Sequence, residues 1–261
     1  LTAPTAPSPL PLQHALPIYC LFVTSDRRRM TDDITTPAEL LSHLPQSLHS
    51  VVENFWIDWY QSCKEKSIDP QQDFSLTVLG KTWACSDFVA RNCIRYPEIF
   101  CALYTEGFEL NRTLEQYRKL VAQAVADSKS DDELMSSLRM LRQQEMMRIA
   151  WRDLNGLVDA ATIFHELTDL AEAMVAVTLQ HLEKQQAEIF GMPLDAAGEE
   201  QSLLVFAMGK MGGGELNFSS DIDLIFTFSE DGETTGPRHK SDYEFYLFVI
   251  RKLVKVLDEV T

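Results

Sequence analysis

Two aspartates separated by one apolar residue stand near the end of the stretch GKMGGGELNFSSDIDLIF, residues 209–226. They are Asp221 and Asp223, and three consecutive glycines precede them in the same stretch. Carboxylate oxygens are ligands that suit Mg²⁺, and protein-bound Mg²⁺ usually keeps positions open for the oxygens of a phosphate group. The residue types and their spacing therefore predict a site that handles a phosphate group together with a divalent metal ion.

The two carboxylates are expected to act together. Side chains in a β-strand alternate between its two faces, so a strand over residues 221–228 places Asp221 and Asp223 on the same face. Two like charges that close repel each other, and a bound Mg²⁺ would relieve this repulsion. Two exposed aspartates at the end of a strand are the plainer interpretation. The conjunction of strand, glycine turn, short helix and Ser-Asp-x-Asp favours the catalytic one.

The glycines and serines before the aspartates fit the same chemistry. Gly212 and Gly213 follow a predicted strand, and glycine lets the backbone approach a ligand that any side chain would keep away. Residues 215–220 predict a short helix whose first amide groups would face an anion. Ser219 or Ser220 would add a hydroxyl donor to the phosphate oxygens. These residues therefore predict the nucleotide-binding part of the site.

The elements that position these residues are mostly helical. Between residues 36 and 190 the apolar residues recur at helical spacing, with no alternating run and no repeat. The predicted helices cover residues 47–64, two short segments within 86–104, residues near 110–127, a long segment from Ser130, and residues 160–189. Apolar runs then predict buried strands over 203–208 and 221–228, and a last helix capped by Ser241.

This change of pattern predicts three regions. Residues 1–29 contain five prolines and a short apolar patch followed by arginines, so we expect a disordered or non-native extension. Residues 30–194 are expected to form a helical domain, and residues 195–261 the beginning of an α+β domain. The predicted fold class is mainly α with an α+β part.

The composition argues against several classes of partner and site. The formal net charge is −16, from 39 acidic against 23 basic residues, so we expect neither nucleic acid nor membrane as a partner. The five cysteines form no CxxC pair, which gives a thiolate metal site little support. Cys85, Cys93 and Cys101, spaced eight apart, are expected to be buried in a protein of the reducing cytoplasm.

Four arginines collect on the long predicted helix that begins at Ser130, namely Arg139, Arg142, Arg148 and Arg152. A solvated or ion-paired helix face is the favoured interpretation of this cluster. Contact with a phosphate group is the alternative, and the sequence leaves both open.

The glycine and aspartate stretch resembles a known catalytic motif. Two glycines followed after seven residues by Asp-Ile-Asp are similar to the motif of the polymerase-β-like nucleotidyltransferases. The longer string GKMGGGELNFSSDIDLIF resembles the glutamine synthetase adenylyltransferase family in particular. The strings SDFVARNCIRYPEIF, QQEMMRIAWRDL and RKLVKVLDE add to this resemblance, which extends over residues 75–261.

The resemblance implies a bifunctional enzyme with two nucleotidyltransferase halves that act on a tyrosine of glutamine synthetase. One half adds AMP from ATP, and the other removes it by phosphorolysis and gives ADP. Helical sequence of this kind precedes the removing half, so the resemblance assigns the chain to that half. It implies Mg²⁺ as cofactor, ATP, ADP and phosphate as substrates or products, and glutamine synthetase and the PII signal protein as partners.

Carried over by position, the resemblance implies that Asp221 and Asp223 hold Mg²⁺ and that Gly212, Gly213 and Ser220 shape the phosphate site. The remaining features of the family's site are less complete in this chain. Many relatives carry arginine at the third glycine, and the family's third carboxylate lies on a later strand, beyond the last residue here.

Residues 195–261 are therefore expected to form an incomplete polymerase-β-like nucleotidyltransferase domain, and the piece alone is expected to be weak or inactive. Two alternatives stay open. One is another polymerase-β-like nucleotidyltransferase with a different substrate. The other is a catalytically inactive helical module that docks glutamine synthetase.

Overall fold

The computed structural model of this chain describes residues 34–70, 74–106, 108, 111–195 and 197–258. The predicted extension over residues 1–29 lies outside this part of the chain. From Thr36 onward the residues belong to one compact unit. Within the described ranges, no helix combines the length and the apolar character needed to cross a membrane.

Helices make up most of the described chain. Before the first strand these are α1 (Ala38–Leu41), α2 (Gln46–Glu65), α3 (Leu76–Cys85), α4 (Asp87–Arg95), α5 (Pro97–Glu106), α6 (Leu114–Asp127), α7 (Asp131–Leu154) and α8 (Ala160–Phe190). Polar caps explain several starts, because the side chains of Thr113, Ser130 and Asp159 accept hydrogen bonds from first-turn amides. The predicted helices are confirmed, although α6 begins four residues later than predicted because Thr113 forms a capping box.

An aromatic cluster fills the core between α2, α3 and α5. In this cluster the ring centroid of Trp59 lies 6.1 Å from that of Trp83 and 5.6 Å from that of Phe100. These three side chains are almost fully buried. Edge-to-face contacts of this kind add to the stabilisation from burial, so the cluster fixes the amino-terminal helices to one another.

The chain after α8 carries the two predicted strands and the last helix. In order these elements are β1 (Leu204–Ala207), α9 (Gly209–Gly212), β2 (Leu224–Thr227) and α10 (Asp242–Asp258). The strands pair antiparallel, with Ala207 opposite Leu224. Their inner faces join α6, α7, α8 and α10 in one apolar core. The described chain is therefore mainly α with a small β part, as predicted.

Both strands are shorter and more exposed than predicted. The strand prediction was wrong for residues 221–223, because the chain turns into α9 directly after Met208 and the paired strands end at Ala207 and Leu224. Burial was also wrong for one face of the sheet. Leu204, Phe206 and Ile225 are 51%, 54% and 52% exposed. Within the described ranges, the helices pack against only the opposite, inner face of the sheet.

Two of the four clustered arginines are buried in an ion-pair network between α6, α7 and α8. Arg148 donates to Glu145 at 2.8 Å, to Glu166 at 3.2 Å and to the Tyr117 hydroxyl at 2.8 Å. Arg152 pairs with the other oxygen of Glu166. Ion pairing is confirmed for these two arginines. A solvated face is wrong for them, because α6 and α8 pack over this side of α7.

The cysteine prediction holds in part. Cys93 and Cys101 are buried, whereas Cys85 is exposed. Cys85 ends α3, while the other two lie on α4 and α5. A spacing of eight residues therefore spans three separate helices and defines no common face, which is why the prediction was wrong for Cys85.

Candidate functional site

The pairing of the two strands brings the glycine turn next to the aspartates. The amide of Met208 donates to the carbonyl oxygen of Asp223 at 2.9 Å, one residue beyond the paired ends of β1 and β2. The turn therefore begins beside Asp223, although 14 residues, from Gly209 to Ile222, separate them along the chain. Antiparallel pairing of β1 with β2 is what produces this proximity.

The glycine turn is closed by its own hydrogen bonds. The amides of Gly212 and Gly213 donate to the carbonyl oxygens of Met208 and Gly209 at 3.2 and 3.1 Å, and that of Gly214 donates to Met211 at 3.1 Å. These amides are therefore engaged within the turn. A role of Gly212 and Gly213 in a phosphate site stays a prediction, and it would rest on their lack of a side chain.

Residues 215–220 form a loop with a tight turn, so the helix predicted there is wrong. The helical turn lies earlier, in α9, because the glycines themselves wind into it. Asn217 organises the loop instead. Its Oδ1 accepts from the hydroxyl of Ser220 at 2.7 Å and from the amide and hydroxyl of Ser219 at 3.2 and 3.3 Å.

Sequence reasoning overlooked Asn217, although an Asn-x-Ser-Ser sequence is a signal for such a turn. Both serine hydroxyls donate to Asn217 in this structure. Donation from Ser219 or Ser220 to a phosphate oxygen would therefore require the hydroxyl to rotate away from Asn217. The predicted role of these serines stays a prediction.

Asp221 and Asp223 lie on the exposed segment that enters β2. Neither belongs to the strand, so the alternation rule does not settle whether their carboxylates share a face, and this stays a prediction. Within the described residues, no group of three or more His, Cys, Asp and Glu side chains is arranged to hold a metal ion.

A cavity of about 500 Å³ adjoins Asp221 but not Asp223. It lies between α7, α8, α10 and the chain from Leu216 to Phe226, and its lining is mostly apolar. Arg142, Asn217, Ser220 and Asp221 supply its polar groups. Burial lowers the pKa of Arg142, a guanidinium that stays positively charged near pH 7. Of the four clustered arginines, Arg142 thus reaches the candidate site.

A sequence model of the family described as glutamate-ammonia ligase adenylyltransferase matches residues 76–261. This range includes the glycine turn, both aspartates and every described helix from α3 onward. The chain belongs to this family, and the resemblance seen in its motifs is confirmed.

Curated relatives carry the name bifunctional glutamine synthetase adenylyltransferase/adenylyl-removing enzyme. The one from Nitrosococcus oceani is 40% identical over 223 residues, which are 84% of this chain and 23% of the relative. The one from Thioalkalivibrio sulfidiphilus is 38% identical over 86% of this chain and 23% of the relative. The one from Hahella chejuensis is 34% identical over 87% of this chain and 24% of the relative. The chain thus spans about a quarter of the length of these relatives.

Proposed function

We propose that this chain takes part in the Mg²⁺-dependent transfer of an adenylyl group between a nucleotide and glutamine synthetase. Membership of the adenylyltransferase family and the names of the relatives support the reaction class and the protein substrate. Residues 195–261 would then belong to a polymerase-β-like nucleotidyltransferase domain. The reaction would take place in the cytoplasm, with the PII signal protein as a regulatory partner.

The observation that carries this proposal is the hydrogen bond between Met208 and Asp223. It places a turn poor in side chains directly beside an exposed carboxylate. Nucleotidyl transfer needs this combination, because the phosphate chain must approach the backbone while its charge is neutralised nearby.

The donor set of the site fits Mg²⁺. Asp221 and Asp223 offer exposed carboxylate oxygens, and hard cations such as Mg²⁺ take oxygen ligands. We assign metal binding to these two aspartates. When bound, Mg²⁺ would neutralise negative charge on the phosphate oxygens. Gly212 and Gly213 would leave room for the phosphate chain, and Ser219 and Ser220 would orient its oxygens.

We assign the chain to the adenylyl-removing half, since mainly helical residues precede the glycine turn as they do in that half of the family. In this reaction an oxygen of inorganic phosphate attacks the phosphorus of the tyrosine-bound AMP. The bond from phosphorus to the tyrosine oxygen breaks, ADP forms, and the tyrosine oxygen takes up a proton. The carboxylates and the glycine turn would hold the two phosphoryl groups in line.

Calorimetric titration of ADP in the presence and absence of Mg²⁺ tests the proposed function. The chain is expected to bind ADP when Mg²⁺ is present, and Asp221→Ala and Asp223→Ala are each expected to weaken binding at least about tenfold. Asp231→Ala serves as the control, because Asp231 is an exposed acid of the same region that lies in the loop after β2.

The metal assignment would be contradicted if the original chain and its three variants bound ADP with equal affinity. It would also be contradicted if the affinity for ADP were the same with and without Mg²⁺. Capture of glutamine synthetase without any binding of Mg²⁺ and ADP would favour the inactive docking module instead.

A further inference from the structure

The loop between the glycine turn and the aspartates is joined to α8 by a buried side-chain hydrogen bond. The Oγ1 atom of Thr168 accepts from the amide of Leu216 at 3.2 Å. The same Oγ1 donates its proton to the carbonyl oxygen of Phe164 at 2.8 Å. The hydroxyl is therefore oriented by its own helix, with a lone pair directed at the loop.

Both partners of this bond are buried. Thr168 is 9% exposed and Leu216 is 6% exposed. A buried amide that loses its acceptor is unfavourable, because water does not replace the missing hydrogen bond. Leu216 stands two residues after the last glycine of the turn and five residues before Asp221. The bond therefore acts on the loop that connects the two parts of the candidate site.

Helix α8 is itself held rigidly at this level. Glu166, two residues before Thr168, pairs with Arg148 and Arg152 and accepts from the backbone amide of Arg112 at 2.7 Å. His165 lies close to the loop at a second point, since a Cβ at Gly214 would be 3.7 Å from its Nδ1. Thr168 thus joins the loop to a fixed part of the helical core.

We propose that Thr168 is a positioning residue of the candidate site, whose hydroxyl holds the 214–220 loop, and with it Ser219, Ser220 and Asp221, against α8. Its effect on ligand binding rests on the proposed function, whereas its effect on the loop does not. Thr168 touches no reacting group in this assignment and acts through the backbone of Leu216.

Three variants separate this role from general packing. Thr168→Val keeps the shape of the side chain but removes the acceptor. Thr168→Ser keeps the acceptor but removes a methyl group. Thr178→Val is the matched control, because Thr178 is fully buried on the same helix and its hydroxyl has no hydrogen-bond partner among the described residues. Thr168→Ala serves as a second variant without the hydroxyl if Thr168→Val fails to fold.

Hydrogen exchange followed by mass spectrometry measures the loop directly. Thr168→Val is expected to raise the exchange rate of peptides covering residues 214–220 about tenfold, while peptides from α2 and α7 keep their rates. Thr168→Ser and Thr178→Val are expected to match the unchanged chain. Calorimetry with ADP and Mg²⁺ is expected to show the same pattern, with an affinity loss of about tenfold in Thr168→Val alone.

Unchanged exchange of the loop in Thr168→Val, or equal effects of the valine and serine variants at position 168, would overturn the positioning role. If the unchanged chain binds no ADP with Mg²⁺, the proposed function fails, and the exchange rates alone then decide whether Thr168 holds the loop.

Discussion

Gly212 lies so close to the carbonyl oxygen of Ala207 that a Cβ at this position would approach that oxygen to 2.3 Å. The neighbouring Gly213 has no such contact, since the nearest atom to a Cβ there would be the carbonyl oxygen of Gly209 at 3.6 Å. Its backbone φ of −84° also suits any residue. The fold of the turn therefore requires glycine at position 212 but not at position 213.

This difference predicts opposite results for two alanine substitutions. Gly212→Ala is expected to destabilise the chain by about 2 kcal/mol, because the turn must shift to avoid the clash. Gly213→Ala is expected to leave stability unchanged or raise it by about 0.5 kcal/mol through the unfolded state. If Gly213 faces a phosphate group, its added methyl group will also weaken ADP binding in the presence of Mg²⁺. Urea unfolding and calorimetry measure the two effects.

Gly213→Ala also separates a binding role from a folding role. If Gly213→Ala binds ADP as tightly as the original chain, Gly213 does not contribute to the nucleotide site. A large loss of stability in this variant would instead show that the turn is more crowded than its contacts indicate.

The elements of the fold were largely predictable from local sequence, and the contacts between distant residues were not. Helical spacing of apolar residues predicted α2 and α8 almost to the residue, because this signal is local. The beginning of β2 was missed because a strand ends where its partner turns away, and that position depends on α9. The helix prediction for residues 215–220 was wrong because the side-chain hydrogen bonds of Asn217 compete with the backbone hydrogen bonds of a helix.

The buried arginines show the same limit. From sequence alone an arginine on a helix is expected to be exposed, because the residues that cover it are not known. The partners of these arginines, Glu145, Glu166 and Tyr117, lie on three different helices. The proximity of the glycine turn and Asp223 was not predicted, because it depends on strand pairing that brings Met208 to Asp223 across 14 intervening residues. The Thr168 contact was not predicted either, since 48 residues separate its partners.

The buried network predicts a strong dependence of stability on Glu166. Glu166→Gln keeps the shape of the side chain but leaves Arg148 and Arg152 with less compensating charge, so we expect a loss of about 3 kcal/mol. Glu172→Gln is the matched control on the same helix, because its partner Arg118 and Glu172 itself are each 45% exposed. This control is expected to change stability by less than about 0.5 kcal/mol.

Urea unfolding monitored by circular dichroism measures both variants. Similar small changes in the two would show that the network contributes no more than an exposed ion pair.

A buried carboxyl group at the start of α10 predicts a pH dependence of stability. Asp242 is fully buried, one oxygen accepts from Gln201 at 2.6 Å, and the other has no hydrogen-bond partner among the described residues. Burial raises the pKa of Asp242 above its ordinary value, while the hydrogen bond from Gln201 and the neighbouring acids act as smaller influences. The folded chain therefore holds the proton more tightly than the unfolded chain.

The proton on Asp242 stabilises the folded chain fully at pH values below the pKa of this carboxyl in the unfolded chain, about 3.9. This stabilisation is lost as the pH rises through the raised pKa of Asp242 in the folded chain. Asp242→Asn is neutral throughout. Its stability relative to the unchanged chain is therefore expected to increase as the pH rises from about 3.5 towards neutrality. Urea unfolding at several pH values measures this difference. Glu244→Gln, at an exposed position of the same helix, is the control, and an equal slope for both variants would contradict the assignment to Asp242.

The cysteines differ sharply in their expected reactivity. Cys85 is exposed at the end of α3, whereas Cys63, Cys93 and Cys101 are buried. Burial raises the pKa of Cys63 to about 12 and that of Cys101 to about 11, and it raises that of Cys93 further. Because the thiolate is the reactive form, the three buried thiols are expected to react slowly at pH 8.

Labelling with a small disulfide reagent under native conditions, followed by peptide mapping, is expected to modify Cys85 at least about tenfold faster than the buried cysteines. Cys85→Ser is expected to remove one fast-reacting thiol without changing stability, since the side chain lies at an exposed helix end. All five cysteines of the chain, Cys20 included, are expected to react together in denaturant. Native labelling of Cys93 at the rate of Cys85 would mean that α4 opens readily, and it would contradict the tight packing of Cys93 against Met147 seen here at 3.9 Å.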